Sequence, residues 1–403
     1  MSRKPSSCPW LTLRQAQGDI VVSRSAMPDV IVVGAGLIGL GVAYELAKRI
    51  VSVTVYDRAE PARAASWAGA GMLAPFSEEM PDAEMLALCR ESLAMYPTFV
   101  DELRERTGVD ARFRRDGTLH VALDAARLAE LAAHAQTFRA NGGDVAMLDR
   151  GDVLACEPML AKDLAGGLFV ANEAQVDNRR LGRALLAACE SLGVRFERVD
   201  GVVLECDARR VRGLRTAYGF TAAGTVVNAA GAWAGALDGV PENARVPVRP
   251  VAGEMLAIGI PRNALRALVW LGHRYLVPRD DGRLLVGATV EERGFDARVT
   301  AAGLHDLLDA ALAVAPALAS FAVVETWAGL RPGSHDGRPY LGATALDGYV
   351  VASGHYRNGI LLTPVTARAI ADLVVDGRSD ALAPFAPARG GTEPAAAVAN
   401  GIV

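Results

Sequence analysis

Three glycines and one acid offer the first chemistry in the chain. Gly34, Gly36 and Gly39 stand in the pattern GAGLIG, directly after four β-branched apolar residues, Val30 to Val33. In such a turn the first glycine permits the backbone reversal and the second lets a pyrophosphate approach the main chain. The third lets the following helix pack on the strand, and that helix presents its N-terminal amide groups to the anion. Asp57 closes a second apolar run, Val51 to Tyr56, about 20 residues further on, where a carboxylate can accept hydrogen bonds from the ribose hydroxyls of an adenosine. A lone GxGxxG fits an ordinary strand–helix–strand crossover about as well as a nucleotide site. Here strand, turn, helix, second strand and terminal acid agree, so the stretch predicts dinucleotide binding. On these residues alone FAD and NAD both stay open.

The chain that must position this turn has 403 residues, 51% of them apolar, which suits two domains and a large interior. Lys plus Arg (42) against Asp plus Glu (46) gives a net charge of −4, which offers no basic face for nucleic acid. Glycines and charges interrupt every apolar run before the ~18–20 residues a bilayer span needs, so a soluble, cytoplasmic protein without a membrane partner is expected. Five cysteines, at 8, 89, 156, 189 and 206, have no CxxC or His spacing, which suits a reducing compartment and implies no metal.

Residues 1–26 are polar and basic without a signal-like apolar core, and Met27 stands just before the first strand; 1–26 are expected to be an extension outside the fold. A loop of small residues, Ala62 to Pro75, follows Asp57 and lets backbone amides crowd a flat ligand. Helices are expected over Ala83 to Arg106, Ala125 to Ala140, Arg179 to Leu192, Thr300 to Ala315 and Gly359 to Val375. Phe113 to Leu123 resembles a strand pair, and Val194 to Glu205, Val211 to Ala217, Val246 to Ile258 and Val323 to Leu330 read as strands. Tyr275 to Thr289 folds back at Asp281-Gly282, a hairpin signal. Thr225 to Gly235 runs from a buried strand into small residues, which returns the chain to the nucleotide sheet after an insertion. The predicted architecture is α/β: a Rossmann-like dinucleotide domain (27–85, 165–245 and 323–380) interleaved with an α+β substrate domain on an antiparallel sheet (86–164 and 246–322), then a flexible tail (381–403).

The segments GAGLIG, SWAGAGMLAP, NAAGAWAG, HRYLVPRDDGRLLVGAT, WAGLRPGSHDGRPYLG and GHYRNGILLTP together resemble the glycine oxidase branch of the D-amino-acid oxidase family, the branch associated with thiamine biosynthesis. The resemblance covers essentially all of residues 28 to 380. It implies noncovalent FAD and oxidation of glycine, with sarcosine or small D-amino acids as further substrates. Hydride passes to flavin, the imine becomes glyoxylate and ammonia, and dioxygen becomes hydrogen peroxide. A thiazole synthase as recipient of the imine and a homo-oligomeric assembly are also implied.

Carried over position by position, the family's FAD contacts fall on Leu37 and Ile38 beside the glycines, on Asp57 and Arg58, on Ala65 and Ser66, and on Ala70, Gly71 and Met72. Val202 would meet the adenine end. His355, Tyr356, Arg357, Asn358, Gly359, Ile360 and Leu361 would lie against the flavin ring. Relatives mostly carry glutamate where this chain has Asp57, one methylene shorter. Arg331, which follows a predicted strand into a Gly-Pro turn, is the expected carboxylate anchor, since a planar guanidinium holds a carboxylate with two parallel charge-assisted hydrogen bonds. Tyr275 would add a hydroxyl donor, with His273 on the same strand face. Arg357 would be a second positive group, beside the N-terminus of a helix starting at Gly359. No general base is nominated, because a neutral amine donating hydride needs none.

Other members of the family remain as rivals, among them amine or D-amino-acid oxidases and dehydrogenases. Sarcosine-type relatives tether flavin through a cysteine in the C-terminal part, and no cysteine follows Cys206. A nicotinamide-dependent dehydrogenase and a non-catalytic nucleotide-binding protein are the readings from other classes.

Overall fold

The strands Val30–Val33 and Val53–Asp57 bury four successive residues each, which suits a parallel strand covered on both faces. They form the centre of a six-stranded sheet whose order is Tyr340–Ala343, Tyr349–Ser353, Thr225–Asn228, Val30–Val33, Val53–Asp57, Arg195–Arg198. All neighbours are parallel except the first pair. The structure, a computed structural model, describes residues 28–78 and 80–389. The expected extension over 1–26, with Met27 as the start of the fold, lies outside the described residues, as does the tail beyond 389.

A second sheet has eight strands in the order Val323–Gly333, Arg249–Gly259, Arg283–Gly287, Arg274–Pro278, Leu268–Leu271, Thr118–Ala122, Gly166–Val170, Val145–Asp149. It is antiparallel apart from the pairing of Leu268–Leu271 with Thr118–Ala122. The hairpin at Asp281-Gly282 is as expected, with Gly282 at φ +91°. Thr300 caps the helix Ala301–Val314 by accepting from Gly303 N at 3.0 Å.

Several elements differ from expectation for identifiable reasons. Phe113 to Leu123 yields one strand, Thr118–Ala122, whose antiparallel partner is the distant Gly166–Val170. Val194 to Glu205 breaks after Arg198: Arg195–Arg198 joins the six-stranded sheet, and Val203–Cys206 joins a separate three-stranded sheet. The interleaving also shifts. Helix Ala83–Thr107 sends Met85, Leu88, Tyr96 and Leu103 into the core beneath the six-stranded sheet, whereas Gly166–Val170 and Val323–Gly333 belong to the eight-stranded sheet. Residues 381–389 are short 3₁₀ turns with Leu382 and Phe385 buried and Arg389 paired to Asp336, so this part of the expected tail is packed.

The last helix begins at Thr363, four residues later than expected. Pro364 has no N–H to give the carbonyl of Ile360, so the regular ladder cannot extend back through it. That carbonyl takes the Tyr96 hydroxyl and Thr363 N instead, while the Leu361 carbonyl takes Ser92 Oγ at 2.6 Å. Ser92 also accepts from Val365 N at 3.4 Å and is fully buried. Replacing Ser92 by Ala removes both contacts from a dry site, and the expected cost is ~1–3 kcal/mol. Urea unfolding checks it as a lower midpoint at unchanged slope.

Candidate active site

Each glycine of the first turn meets a different constraint. Gly34 sits at φ +105°, and a Cβ there would fall 2.3 Å from the Ala229 carbonyl oxygen. A Cβ on Gly39 would fall 1.9 Å from the Gly34 carbonyl oxygen, so the helix lies directly on the turn. Gly36 is the N-cap of helix Leu37–Lys48 and has no side chain to cap it, so the first amide groups need partners from outside the helix. Ser66 Oγ accepts from Leu37 N at 2.9 Å. Asp57 closes the other side: Oδ2 accepts from Ala35 N at 2.6 Å and Oδ1 from Ala59 N at 2.9 Å.

The small-residue loop is a short helix, Ala65–Ala68, followed by a turn into Met72–Leu73. Arg279, at the end of strand Arg274–Pro278, enters this loop from the substrate side. It donates to Ala70 O (2.7 Å), Val176 O (3.1 Å), Gln175 Oε1 (3.1 Å) and Asn178 Oδ1 (3.1 Å). Asn178 Nδ2 in turn donates to Ser66 O at 2.7 Å. Burial lowers the Arg279 guanidinium to about 10, so it is charged at neutral pH.

A cavity runs from this turn to the eight-stranded sheet. It brings together Gly36, Leu37, Ile38, Ala65, Ser66, Ala70, Gly71, Met72, the segment His355 to Ile360, and the side chains of Tyr275 and Arg331. Gly34 and Gly39 shape the turn without lining the cavity. Asp57, Arg58, Val202 and Leu361 also lie outside it: the Arg58 guanidinium stacks 3.8 Å over Trp233, and Val202 packs beside the core under the three-stranded sheet. The single turn at 358–362 precedes the last helix, so the His355–Ile360 segment lines the cavity as irregular chain rather than as a helix N-terminus at Gly359.

Arg331 is on strand Val323–Gly333, opposite Val251. Nη1 donates to the carbonyls of Ala252 and Thr289, both at 3.1 Å, which fixes the guanidinium plane. Among the described residues no carboxylate forms an ion pair with Arg331. The guanidinium crosses Gly253, where a Cβ would lie 2.2 Å from Nη1. Tyr275 uses the same device: a Cβ on Gly287 would lie 2.5 Å from its ring. Burial raises the Tyr275 hydroxyl while Arg331 opposes that rise, so the tyrosine is protonated and able to donate at neutral pH. Arg357 Nη1 lies 3.7 Å from Glu78 Oε2, and both line the cavity.

Glu78, Trp270, Arg279, Gly253 and Gly287 were not singled out from the sequence. The two glycines had a readable signal, since an isolated glycine inside a strand pattern marks close approach of another group. The buried Arg279 had none beyond its hairpin.

A family model described as FAD dependent oxidoreductase (DAO) matches residues 29–373. The chain is 37% identical over 372 residues to the bifunctional protein ThiO/ThiG of Synechocystis sp., covering 90% of this chain and 54% of that protein. It thus spans about half the length of that relative. A glycine oxidase of Geobacillus kaustophilus is 37% identical over 350 residues, covering 86% of this chain and 92% of the relative. A crystal structure of glycine oxidase from Geobacillus kaustophilus superposes with a TM-score of 0.84, at 37% identity, over 90% of this chain and 99% of that one.

The site fits FAD on its own geometry: Gly34 and Gly39 admit no side chain, Gly36 brings no capping side chain to the helix N-terminus, and Gly36, Ala65, Ser66, Ala70 and Gly71 line the cavity beside it. Replacing Gly253 by Ala must displace the Arg331 guanidinium. Acetate, a small carboxylate, should then bind at least ~tenfold more weakly at unchanged FAD content, read by titration of the flavin spectrum. A further outcome concerns acid. His355 is buried, hydrogen-bonded to Thr366 Oγ1 at 3.1 Å, and lowered by burial to about 3. Below its unfolded value of ~6.5 the unfolded chain binds a proton that the folded chain refuses, so His355 costs stability as pH falls from ~6.5 toward 3. The stability deficit of His355→Asn should therefore shrink below pH ~6.5 by up to ~1.4 kcal/mol per pH unit, measured by denaturant unfolding at pH 7, 6 and 5.

Proposed function

The chain belongs to the FAD-dependent oxidoreductase family, and we propose that it is a glycine oxidase that can also take sarcosine or small D-amino acids. Glycine loses two hydrogens to become the imine, which yields glyoxylate and ammonia, and dioxygen becomes hydrogen peroxide. The observation that carries this reading is the Arg331 guanidinium, fixed by two carbonyls, without a carboxylate partner among the described residues, beside Tyr275 at the end of the cofactor cavity.

The residues proposed to hold FAD are Gly36, Leu37 and Ile38 at the turn, Ala65, Ser66, Ala70, Gly71 and Met72 in the loop, and the backbone from His355 to Ile360, with Asp57 toward the ribose. FAD supplies the two-electron acceptor. Arg331 binds the substrate carboxylate through a planar fork, and the Tyr275 hydroxyl gives it a further donor. Because Arg331 and Tyr275 are braced against Gly253 and Gly287, the carboxylate is held in one place, and fixed placement of the adjacent carbon removes entropy from the barrier. Buried neutral His355 adds no charge to the cavity.

We place the enzyme in the cytoplasm as a homo-oligomer and propose that the imine can pass to a thiazole synthase, a reading motivated by the joint ThiO/ThiG name of the Synechocystis relative. No helix among the described residues is long and apolar enough to cross a membrane.

The test is an anaerobic addition of glycine to the purified yellow protein. Bleaching by glycine, followed by rapid return of colour and peroxide release in air, is expected. Slow reoxidation in air with fast reoxidation by a quinone would make it a dehydrogenase, and no bleaching by glycine would overturn the substrate. In the same assay Arg331→Lys keeps charge but loses the fork, so glycine oxidation at low substrate should fall at least ~tenfold at unchanged FAD content, with Arg331→Ala lower still.

A further inference from the structure

A clamp that orients a ligand must first be oriented itself, and the Arg331 guanidinium is held by the carbonyl oxygens of Ala252 and Thr289. In a regular antiparallel ladder, carbonyls of paired residues point at the amide groups of the opposite strand. Ala252 O does so, accepting from Glu291 N at 3.0 Å while Ala252 N donates to Glu291 O at 2.8 Å. Thr289 O does not. We infer that the Thr289 hydroxyl is a positioning group for the clamp: it replaces the Thr289 carbonyl in the ladder, so that this carbonyl turns out of the ladder to hold Arg331. The inference rests on the reading of Arg331 as the substrate's carboxylate anchor.

The register shows the replacement. Strand Arg283–Gly287 ends with Gly287 opposite Met255, and pairing resumes where Glu291 faces Ala252. From Gly287 to Glu291 is four steps and from Met255 to Ala252 is three, so one residue is extra, as in a β-bulge. In the register of Ala252 and Glu291, the next hydrogen-bonded pair is Glu254 and Thr289, which leaves Ala288 as the extra residue. Two bonds should close that pair, amide to carbonyl in each direction. One is present: Thr289 N donates to Glu254 O at 3.2 Å. In place of the other, Glu254 N donates to Thr289 Oγ1 at 2.9 Å. The carbonyl left over is the one that accepts from Arg331 Nη1 at 3.1 Å.

Water has no access to stand in for this hydroxyl, because Glu254 is fully buried and Thr289 is 5% exposed. The segment is also held against sliding back into a regular ladder. Arg274 Nη1 donates to the carbonyl of Ala288 at 3.1 Å. Further along, Glu254 Oε2 accepts from Thr300 N at 2.8 Å, and Oε1 accepts from Thr300 Oγ1 and Arg293 Nη2 at 3.0 Å each. Without the hydroxyl, the acceptor that the ladder offers to the Glu254 amide is the Thr289 carbonyl. An unpaired buried amide is costly enough to draw that carbonyl back from Arg331.

The experiment titrates acetate, a bare carboxylate, into FAD-loaded wild type, Thr289→Ser, Thr289→Val and Thr289→Ala, read by the flavin spectrum. Glycine affinity is read from the concentration dependence of anaerobic bleaching. Both signals report only molecules that hold FAD, so a loss of stability lowers the amplitude and leaves the midpoint in place. Valine keeps the shape of threonine without its hydroxyl, and serine differs from alanine by the hydroxyl alone. Acetate and glycine should weaken ~three- to tenfold in Thr289→Val and Thr289→Ala and stay within about twofold of wild type in Thr289→Ser. Unchanged midpoints in Thr289→Val and Thr289→Ala would overturn the role. So would a Thr289→Ser variant as weak as Thr289→Ala, which would make packing of the methyl group the cause. If Thr289→Val does not hold FAD, serine against alanine decides by the same comparison, and loss of FAD from both hydroxyl-free variants would assign the hydroxyl to the fold and overturn its role in the clamp. A wild type that binds acetate but neither binds nor oxidises glycine would overturn the glycine oxidase reading alone, because the Thr289 comparison then stands on acetate.

Discussion

The two halves of the site are joined by one buried cation. Arg279 leaves the hairpin of the eight-stranded sheet and ends among the carbonyls of Ala70 and Val176 and the side chains of Gln175 and Asn178. A guanidinium in a dry interior is costly unless its donors are met, and here neutral acceptors from the cofactor side meet them. The loop that faces the cofactor therefore takes its position from the sheet that carries Tyr275. Asn178 extends the tie to Ser66, and Ser66 to the first amide of the glycine-turn helix. A shift in either sheet would break this chain of contacts, so the distance between cofactor turn and substrate strand is held by hydrogen bonds rather than by a hinge.

Interleaving follows from that geometry. Strand Val323–Gly333 lies at the edge of the substrate sheet and delivers Arg331, and the chain then returns to the six-stranded sheet through Tyr340–Ala343 and Tyr349–Ser353. At the crossing, Tyr356 N donates to Pro332 O at 2.9 Å, with Tyr356 at φ +49°. A non-glycine residue in that region carries local strain that surrounding contacts must hold. Here the contact binds the end of the clamp strand to the backbone proposed to face the flavin.

Local patterns made much of this legible. GAGLIG announced its own turn because glycine is required where φ is positive or where another backbone lies within contact distance; Gly34 meets both conditions and Gly39 the second. Arg331 and Tyr275 were legible through longer motifs, and the structure brings both to one cavity. What resisted reading was long-range. Whether Val323–Gly333 joins one sheet or the other depends on its pairing with Arg249–Gly259, about which its own residues say nothing. The start of the last helix was misplaced because GILLTP has helical spacing on both sides of Pro364, and the hydroxyls that replace the lost ladder come from Ser92 and Tyr96, far away in sequence.

The charges around the cavity show why the glycine site proposed above would need so much scaffold. Glycine has no side chain to bury, so apolar contact contributes little to holding it, and orientation must come from its two charged ends. A charged contact orients only if its protein partner cannot follow the ligand. The guanidinium of Arg331 is pinned by two carbonyls and by the absence of a side chain at Gly253. The loop at Phe76 and Ser77, beside the same cavity, is pinned by Glu173, whose carboxyl burial raises in spite of the hydrogen bonds it accepts. Rigidity built from paired backbone groups thus replaces the shape complementarity that a larger substrate would provide.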